Sequence, residues 1–415
     1  MLYIKESTVV CLSIVIMILF GYADRYLAWA NNLVDTYMFI MAIMSLVLIV
    51  KQIYCVNRQQ LTILLVIAMF TIACIISCLN NFGITGIMQY VLYIAYLAPL
   101  LIVSRLSART AFKIWLIMIL LGVVQLPFDL FLPRSDVDPI DSYTGTFVLA
   151  NNKSRYLFML VITAIFLFRY FKKRYRILML ISVISMLCSL VLGYSIFAYL
   201  FGFASIVLGK FYERRGFALI LSILAIAVMS FVFVSYADLP IVYFTFNRYI
   251  DVDHGVYAIV KYAFELLSDS YFMGTGLGEF VSRSSQSLGG LYVDTIPRTM
   301  ITFGTIYENT VAPGGLPSYI SIITEAGVFG FIASILIIYF LYSCCCSSYL
   351  GFSLFIFIFL LSMYMPMFFE GPDGAVFVYA YVIINKAIPY VTELANIDTA
   401  QSEDIDEGRC KCDLA

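Results

Sequence analysis

Leu61-Thr-Ile-Leu-Leu-Val-Ile-Ala-Met-Phe-Thr-Ile-Ala-Cys-Ile-Ile-Ser-Cys-Leu79 carries no charged residue from end to end. A helix of roughly 20 apolar residues crosses the ~30 Å hydrocarbon core of a bilayer, so this stretch reads as a membrane span. In lipid every backbone amide must find its partner within the protein, which leaves helical bundles and closed β-barrels as spanning folds. A barrel would need short segments of alternating polarity, and the sequence has none of them. The expected fold class is all-α.

Outward from this stretch the same signature recurs at 7–23, 34–50, 86–104, 114–132 and 154–168, and then at 177–192, 195–209, 216–235, 322–342, 349–369 and 374–390. Together these predict a polytopic transmembrane helical bundle of about twelve spans. Composition agrees: 62% of residues are hydrophobic and 12% charged, where soluble domains hold about 25% charged residues. Ser7 to Gly21 follows Lys5 without a small-residue cleavage site, so it reads as the first span and not as a cleavable signal.

The charges set the orientation. The formal net charge is −1, and most of the 25 Lys and Arg fall in short clusters between spans. One continuous helix over 177–209 would put Arg169, Lys172, Lys173, Arg174 and Arg176 on the opposite side from Lys210, Arg214 and Arg215. Basic residues gather in cytoplasmic loops, so two spans turning at Gly193-Tyr-Ser195 are expected. The N- and C-termini are then cytoplasmic. The expected organisation is residues 1–235 as nine spans with a small outer loop at 133–153, residues 236–316 as one large extracytoplasmic loop, residues 317–390 as three further spans, and 391–415 as an acidic, disordered tail. No basic surface suited to nucleic acid is present. Of the ten cysteines, none lies in the large loop, and Cys344, Cys345 and Cys346 read as small apolar residues at a helix end. No metal-ligand spacing is found, and no cofactor is expected.

Candidate site residues sit in the two outer loops. In the first, Asn151, Asn152, Lys153 and Arg155 open the sixth span, where they can hydrogen-bond a phosphate or a sugar; Arg155 lies just inside the span, where a lone cation is costly. The large loop begins with Arg248, Asp253 and the single histidine, His254. Val256, Ile259, Val260, Ala263, Leu266 and Leu267 follow at helical spacing, predicting an amphipathic helix on the membrane surface. Gly274, Gly276 and Gly278 then form a Gly-x-Gly-x-Gly run. Such a run can cradle phosphate through backbone amides, or serve as a turn that lets helices approach closely. Arg283 and Arg298 lie beyond it, and Glu325 stands near the outer end of the tenth span.

Three short stretches, Thr144-Gly-Thr-Phe147 with Asn151-Asn152, Gly274-Thr-Gly-Leu-Gly-Glu-Phe280, and Tyr319 to Gly330 ending Glu-Ala-Gly-Val-Phe-Gly, occur in this order on a chain of about twelve spans with a large late outer loop. In this the sequence resembles the bacterial O-antigen polymerase and O-antigen ligase superfamily. The ligase branch carries a His-Asn pair before the final motif, where this chain has Leu316-Pro317; the resemblance therefore points to the polymerase branch. It implies a GT-C-type, inverting glycosyltransferase in the bacterial inner membrane that joins polyprenyl-pyrophosphate-linked oligosaccharide repeat units. It also implies membrane lipids, a chain-length regulator and a flippase as partners. Pyrophosphate is already a good leaving group, so such chemistry asks for cations over the leaving group before it asks for an acid. Arg248 and Arg155 are the first candidates, then Arg283 and Arg298; His254, Asp253 and Glu325 are candidates for a base acting on the acceptor hydroxyl. The alternatives are an O-antigen ligase and a lipid-linked oligosaccharide flippase.

Overall fold

A computed structural model describes residues 6–24, 30–51, 55–80, 83–133, 142–147, 150–171, 173–193, 196–224, 256–280, 318–363 and 371–412. Arg248, Asp253, His254, Arg283 and Arg298, the large loop apart from 256–280, and the side chain of Asn151 lie outside the described residues. All regular structure among those described is helical.

The helices are α1 (Glu6–Asp24), α2 (Ala30–Lys51), α3 (Arg58–Asn80), α4 (Ile84–Leu97), the single turn α5 (Leu100–Val103), α6 (Ala108–Phe131), α7 (Ala150–Leu167), α8 (Lys173–Leu192), α9 (Ile196–Gly209), α10 (Val256–Asp269), α11 (Ser318–Cys344), α12 (Tyr349–Ser362) and α13 (Pro372–Cys412). Residues 215–224 are helical as well. Among the described residues seven helical stretches are long and apolar enough to cross a membrane: Asn32–Lys51, Arg58–Leu79, Ile84–Val103, Ala108–Phe131, Tyr175–Leu192, Tyr319–Cys344 and Gly374–Glu393. Three shorter apolar helices, Ser7–Phe20, Ala198–Gly209 and Tyr349–Ser362, coincide with further expected spans. Local chemistry sets several of the boundaries. Pro99 has no N–H to donate and separates α4 from α5. Ser107 caps α6 by accepting from the Thr110 N–H at 3.3 Å, and Ser348 caps α12 through the Gly351 N–H at 3.0 Å.

Where the chain was expected to turn at 193–195, α8 ends and α9 begins, and the two helices find different partners. The first packs on α6 and α7, the second on α12 and α7. At the centre stand α12 and α13. Leu350 through Ser362 are buried throughout, and α13 packs along α6 while Tyr379 donates to the Tyr96 carbonyl (2.9 Å) and Tyr381 to the Leu341 carbonyl (2.7 Å). The periphery has the opposite character: Ile177, Leu178, Ile181 and Ile184 on α8 and Leu61, Leu65, Ile75 and Leu79 on α3 are exposed. An apolar exterior around an interior that holds the cross-helix hydrogen bonds is the pattern of a helix bundle solvated by lipid.

Pairings fix which helix ends lie together. Gln59 at the start of α3 donates to the Ser343 carbonyl near the end of α11 at 3.0 Å. Asn385 of α13 accepts from the Cys346 N–H at 3.0 Å, and Tyr390 of α13 meets Phe112 at the start of α6, with ring centroids 5.6 Å apart. Arg58 lies 5.0 Å from the ring of Tyr339 and Arg215 lies 5.8 Å from that of Tyr342. All of this belongs to one end of the bundle, where the basic loops cluster. The far ends of α3 and α6, the start of α7 and the start of α11 belong to the other. Cys345, at the basic end, is partly buried, and burial pushes its thiol up to about 12, in keeping with a packing role.

One expectation is corrected. Residues 391–412 continue α13 as helix instead of forming a disordered tail. Elongating an existing helix avoids the unfavourable nucleation step, and the stretch contains no Pro.

Candidate functional site

At the end opposite the basic loops, the glycine-rich loop and α11 fold into each other. Gly327 takes φ +57° and ψ −136° and breaks α11 in two. An intact helix would pair the Thr324 and Glu325 carbonyls with its own amides; here they accept from the Thr275 N–H at 2.9 Å and the Gly276 N–H at 3.1 Å. In return the Val328 N–H donates to the Phe272 carbonyl at 3.0 Å. The loop thus takes over hydrogen bonds that a helical turn gives up. A side chain at Gly327 would collide with the Phe272 and Met273 backbone, and one at Gly330 with the Ile322 carbonyl. This gives the Glu-Ala-Gly-Val-Phe-Gly stretch a steric reason.

Glu325 completes the latch. It is 1% exposed; Oε2 accepts from the Gly278 N–H at 2.9 Å and Oε1 from the Phe280 N–H at 3.1 Å. The general-base role considered for Glu325 is therefore not carried forward, because its carboxylate holds the loop. Gly274, Gly276 and Gly278 all have positive φ. The Gly274 N–H donates to the Ser270 hydroxyl at 3.2 Å, while the amides of Thr275, Gly276, Gly278 and Phe280 aim at α11, so the run binds a carboxylate and two carbonyls of its own chain where a cradled phosphate was one of the expectations. Glu279 reaches the other way, accepting from the Thr85 hydroxyl of α4 at 2.6 Å. Behind the loop lies α10, whose Ala263 and Leu267 are buried while Lys261, Glu265 and Asp269 face outward. The expected amphipathic helix is present, with its apolar face against Phe280 and Ile320.

A second polar centre sits at the same end, where α6, α7 and α8 meet. Lys153 donates to Asp129 Oδ2 at 2.7 Å, and both side chains are 0% exposed. The Ser189 hydroxyl donates to the same carboxylate oxygen, and Ser154 donates to the Gly193 carbonyl. Thr144-Gly-Thr-Phe147 folds over this pair as a turn: Gln125 Oε1 accepts from the Thr146 N–H (2.8 Å) and hydroxyl (3.1 Å), and Phe147 packs on Tyr156 with centroids 5.5 Å apart. Arg155, 6% exposed, donates from Nη1 to Asn152 Oδ1 at 3.2 Å.

Sequence reading marked Lys153 only as a member of a polar helix mouth and passed over Asp129, Gln125 and Ser189. The signal was nonetheless there: Asp129 is the one acidic residue of the 114–132 stretch, and an ionisable group inside a span is a site hypothesis by default. No protein-family model matches the chain, and no curated protein matches it.

Proposed function

We propose that the chain is a multi-pass glycosyltransferase of the bacterial cytoplasmic membrane, with about twelve spans and a GT-C-like plan. It polymerises polyprenyl-pyrophosphate-linked oligosaccharide repeat units at the outer face, and both its termini are cytoplasmic. The observation that carries this reading is the buried Lys153–Asp129 pair beneath Arg155 and Asn152, at the end of the bundle remote from the basic loops. Basic loops mark the cytoplasmic side, so the polar machinery faces the outer leaflet. Burying an ion pair costs several kcal/mol of desolvation per ion; the pair's return here is to fix the first turn of α7 and hence the place of Arg155.

In the reaction the acceptor hydroxyl oxygen attacks the anomeric carbon of the donor glycan. The bond from that carbon to the pyrophosphate oxygen breaks with inversion, and the hydroxyl proton passes to a base. Arg155 is assigned to the pyrophosphate, where a guanidinium meets two oxygens at once, together with Arg248, Arg283 and Arg298 of the large loop. His254 and Asp253 are assigned to the proton. A chain-length regulator and a flippase are the partners this role requires.

The test is the lipopolysaccharide ladder of a deletion strain. A single repeat unit on the core supports the polymerase. Absence of any repeat with long chains accumulating on the lipid carrier would instead identify a ligase, and repeats trapped at the cytoplasmic face a flippase. Complementation with Arg155→Ala or Arg248→Ala is expected to leave the single-repeat phenotype at normal membrane levels of the protein.

A further inference from the structure

Beside the latch lies a pocket of about 140 Å³. By the rule that one water occupies 10–15 Å³ of such space, it has room for roughly ten waters, the scale of one monosaccharide ring. Its two walls differ in chemistry. Ala73 and Ile76 of α3 and Phe329 of α11 make an apolar side; Ser77, Ser270 and Thr275 bring hydroxyls to the other. Glu325 also lines it, and among the described residues no Lys or Arg does, so none of them favours an anion there. Its rim is Met273, beside the exposed Tyr271 and Phe272. Those two residues hold φ of +52° and +62°, a strained conformation for bulky side chains. The Phe272 carbonyl is bonded to Val328, and Val328, Phe331 and Ile332 begin the exposed apolar stripe of α11. The rim is therefore continuous with the surface that lipid covers.

We propose that this pocket receives a neutral sugar ring carried on a hydrocarbon chain, admitted sideways from the lipid past the Tyr271–Met273 turn. The ring's C–H face lies on Phe329, and its hydroxyls bond to Ser77 and donate to Ser270 and Thr275, whose own hydroxyl hydrogens go to the Leu267 and Thr324 carbonyls. Resting on the glycosyltransferase reading, this is the berth of the acceptor sugar, separate from the Arg155 mouth that takes the donor's pyrophosphate. Both lipid-linked substrates carry a pyrophosphate, so the pocket takes only the acceptor's sugar and leaves its charged linkage outside, whereas the Arg155 mouth takes the donor at its pyrophosphate.

The experiment measures binding of octyl glucoside, octyl phosphate and monooctanoyl glycerol to the full chain in nanodiscs. Saturable binding of octyl glucoside is expected, with octyl phosphate failing to compete. Ala73→Leu, which fills the apolar wall, and Met273→Trp, which closes the exposed rim, should each weaken that binding roughly tenfold or more. Equal competition by octyl phosphate, equal binding of the glycerol lipid, or unchanged affinity in both variants would overturn the proposal. Loss of binding in Met273→Trp alone suffices to sustain it if Ala73→Leu does not fold. Because the readout is binding, its failure is separable from a failed ladder assay: a polymerase ladder with no glucoside binding removes only this pocket, and glucoside binding without a ladder phenotype removes only the polymerase.

Discussion

A carboxylate and two peptide N–H groups, Glu325 with Gly278 and Phe280, are the smallest unit on which the site depends. In Glu325→Gln the side-chain amide can accept from one N–H but turns its own donor toward the other. We expect a loss of about 1–3 kcal/mol, read as a lower unfolding temperature and faster protease cleavage near residue 280. At the other centre, Lys153→Met strands a buried Asp129, and about 3–5 kcal/mol should be lost. The double variant Lys153→Met with Asp129→Leu should be less destabilised than Lys153→Met alone, although Ser189 then lacks its acceptor. A double-mutant cycle on unfolding temperatures in nanodiscs checks this. Both residues were legible as charges near helix mouths, but their partners were not. The Glu325 bonds span 47 and 45 positions in sequence, and Lys153 finds Asp129 24 residues away; no local pattern announces a contact of that range.

The elements themselves were read more easily, because periodicity and apolar length are local properties. The spacing of Val260, Ala263 and Leu267 announced α10 and its buried face, and the need to keep the basic clusters flanking residues 177–209 on one side announced the separation of α8 from α9. Periodicity did not disclose what α10 rests on, since Phe280 lies beyond a loop that sequence could only call a turn. Leu267→Asp should therefore open the α10–loop unit, and Lys261→Ala, on the outer face, should remain within ±0.5 kcal/mol of the parent. Limited proteolysis of membrane vesicles distinguishes the two: rapid cutting between residues 256 and 280 is expected only for the former. The continuation of α13 past residue 391 was missed because composition was weighed without the helix that precedes it.

Across the whole molecule the two ends are unequal. One gathers Arg58, Arg169, Arg176, Lys210, Arg214 and Arg215; the other gathers the latch, the ion pair and the pocket. A topology reporter placed after Gly209 is expected to be cytoplasmic and one near Gly289 extracytoplasmic, and a cytoplasmic signal at Gly289 would overturn the orientation on which the proposed function stands. The break at Gly327 has a bearing on how this end can move. Thr324 and Glu325 are tied sideways to residues 275–280 and not only to the helix below them, so the outer half of α11 is mechanically a part of the loop. A substrate that shifts the glycine run would tilt residues 318–326 as one rigid lever, with Gly327 as its pivot, while residues 328–344 stay seated against α3. The Phe272–Val328 bond anchors the start of the same loop on the inner side of the pivot, so such motion would fall on residues 274–280 and 318–326.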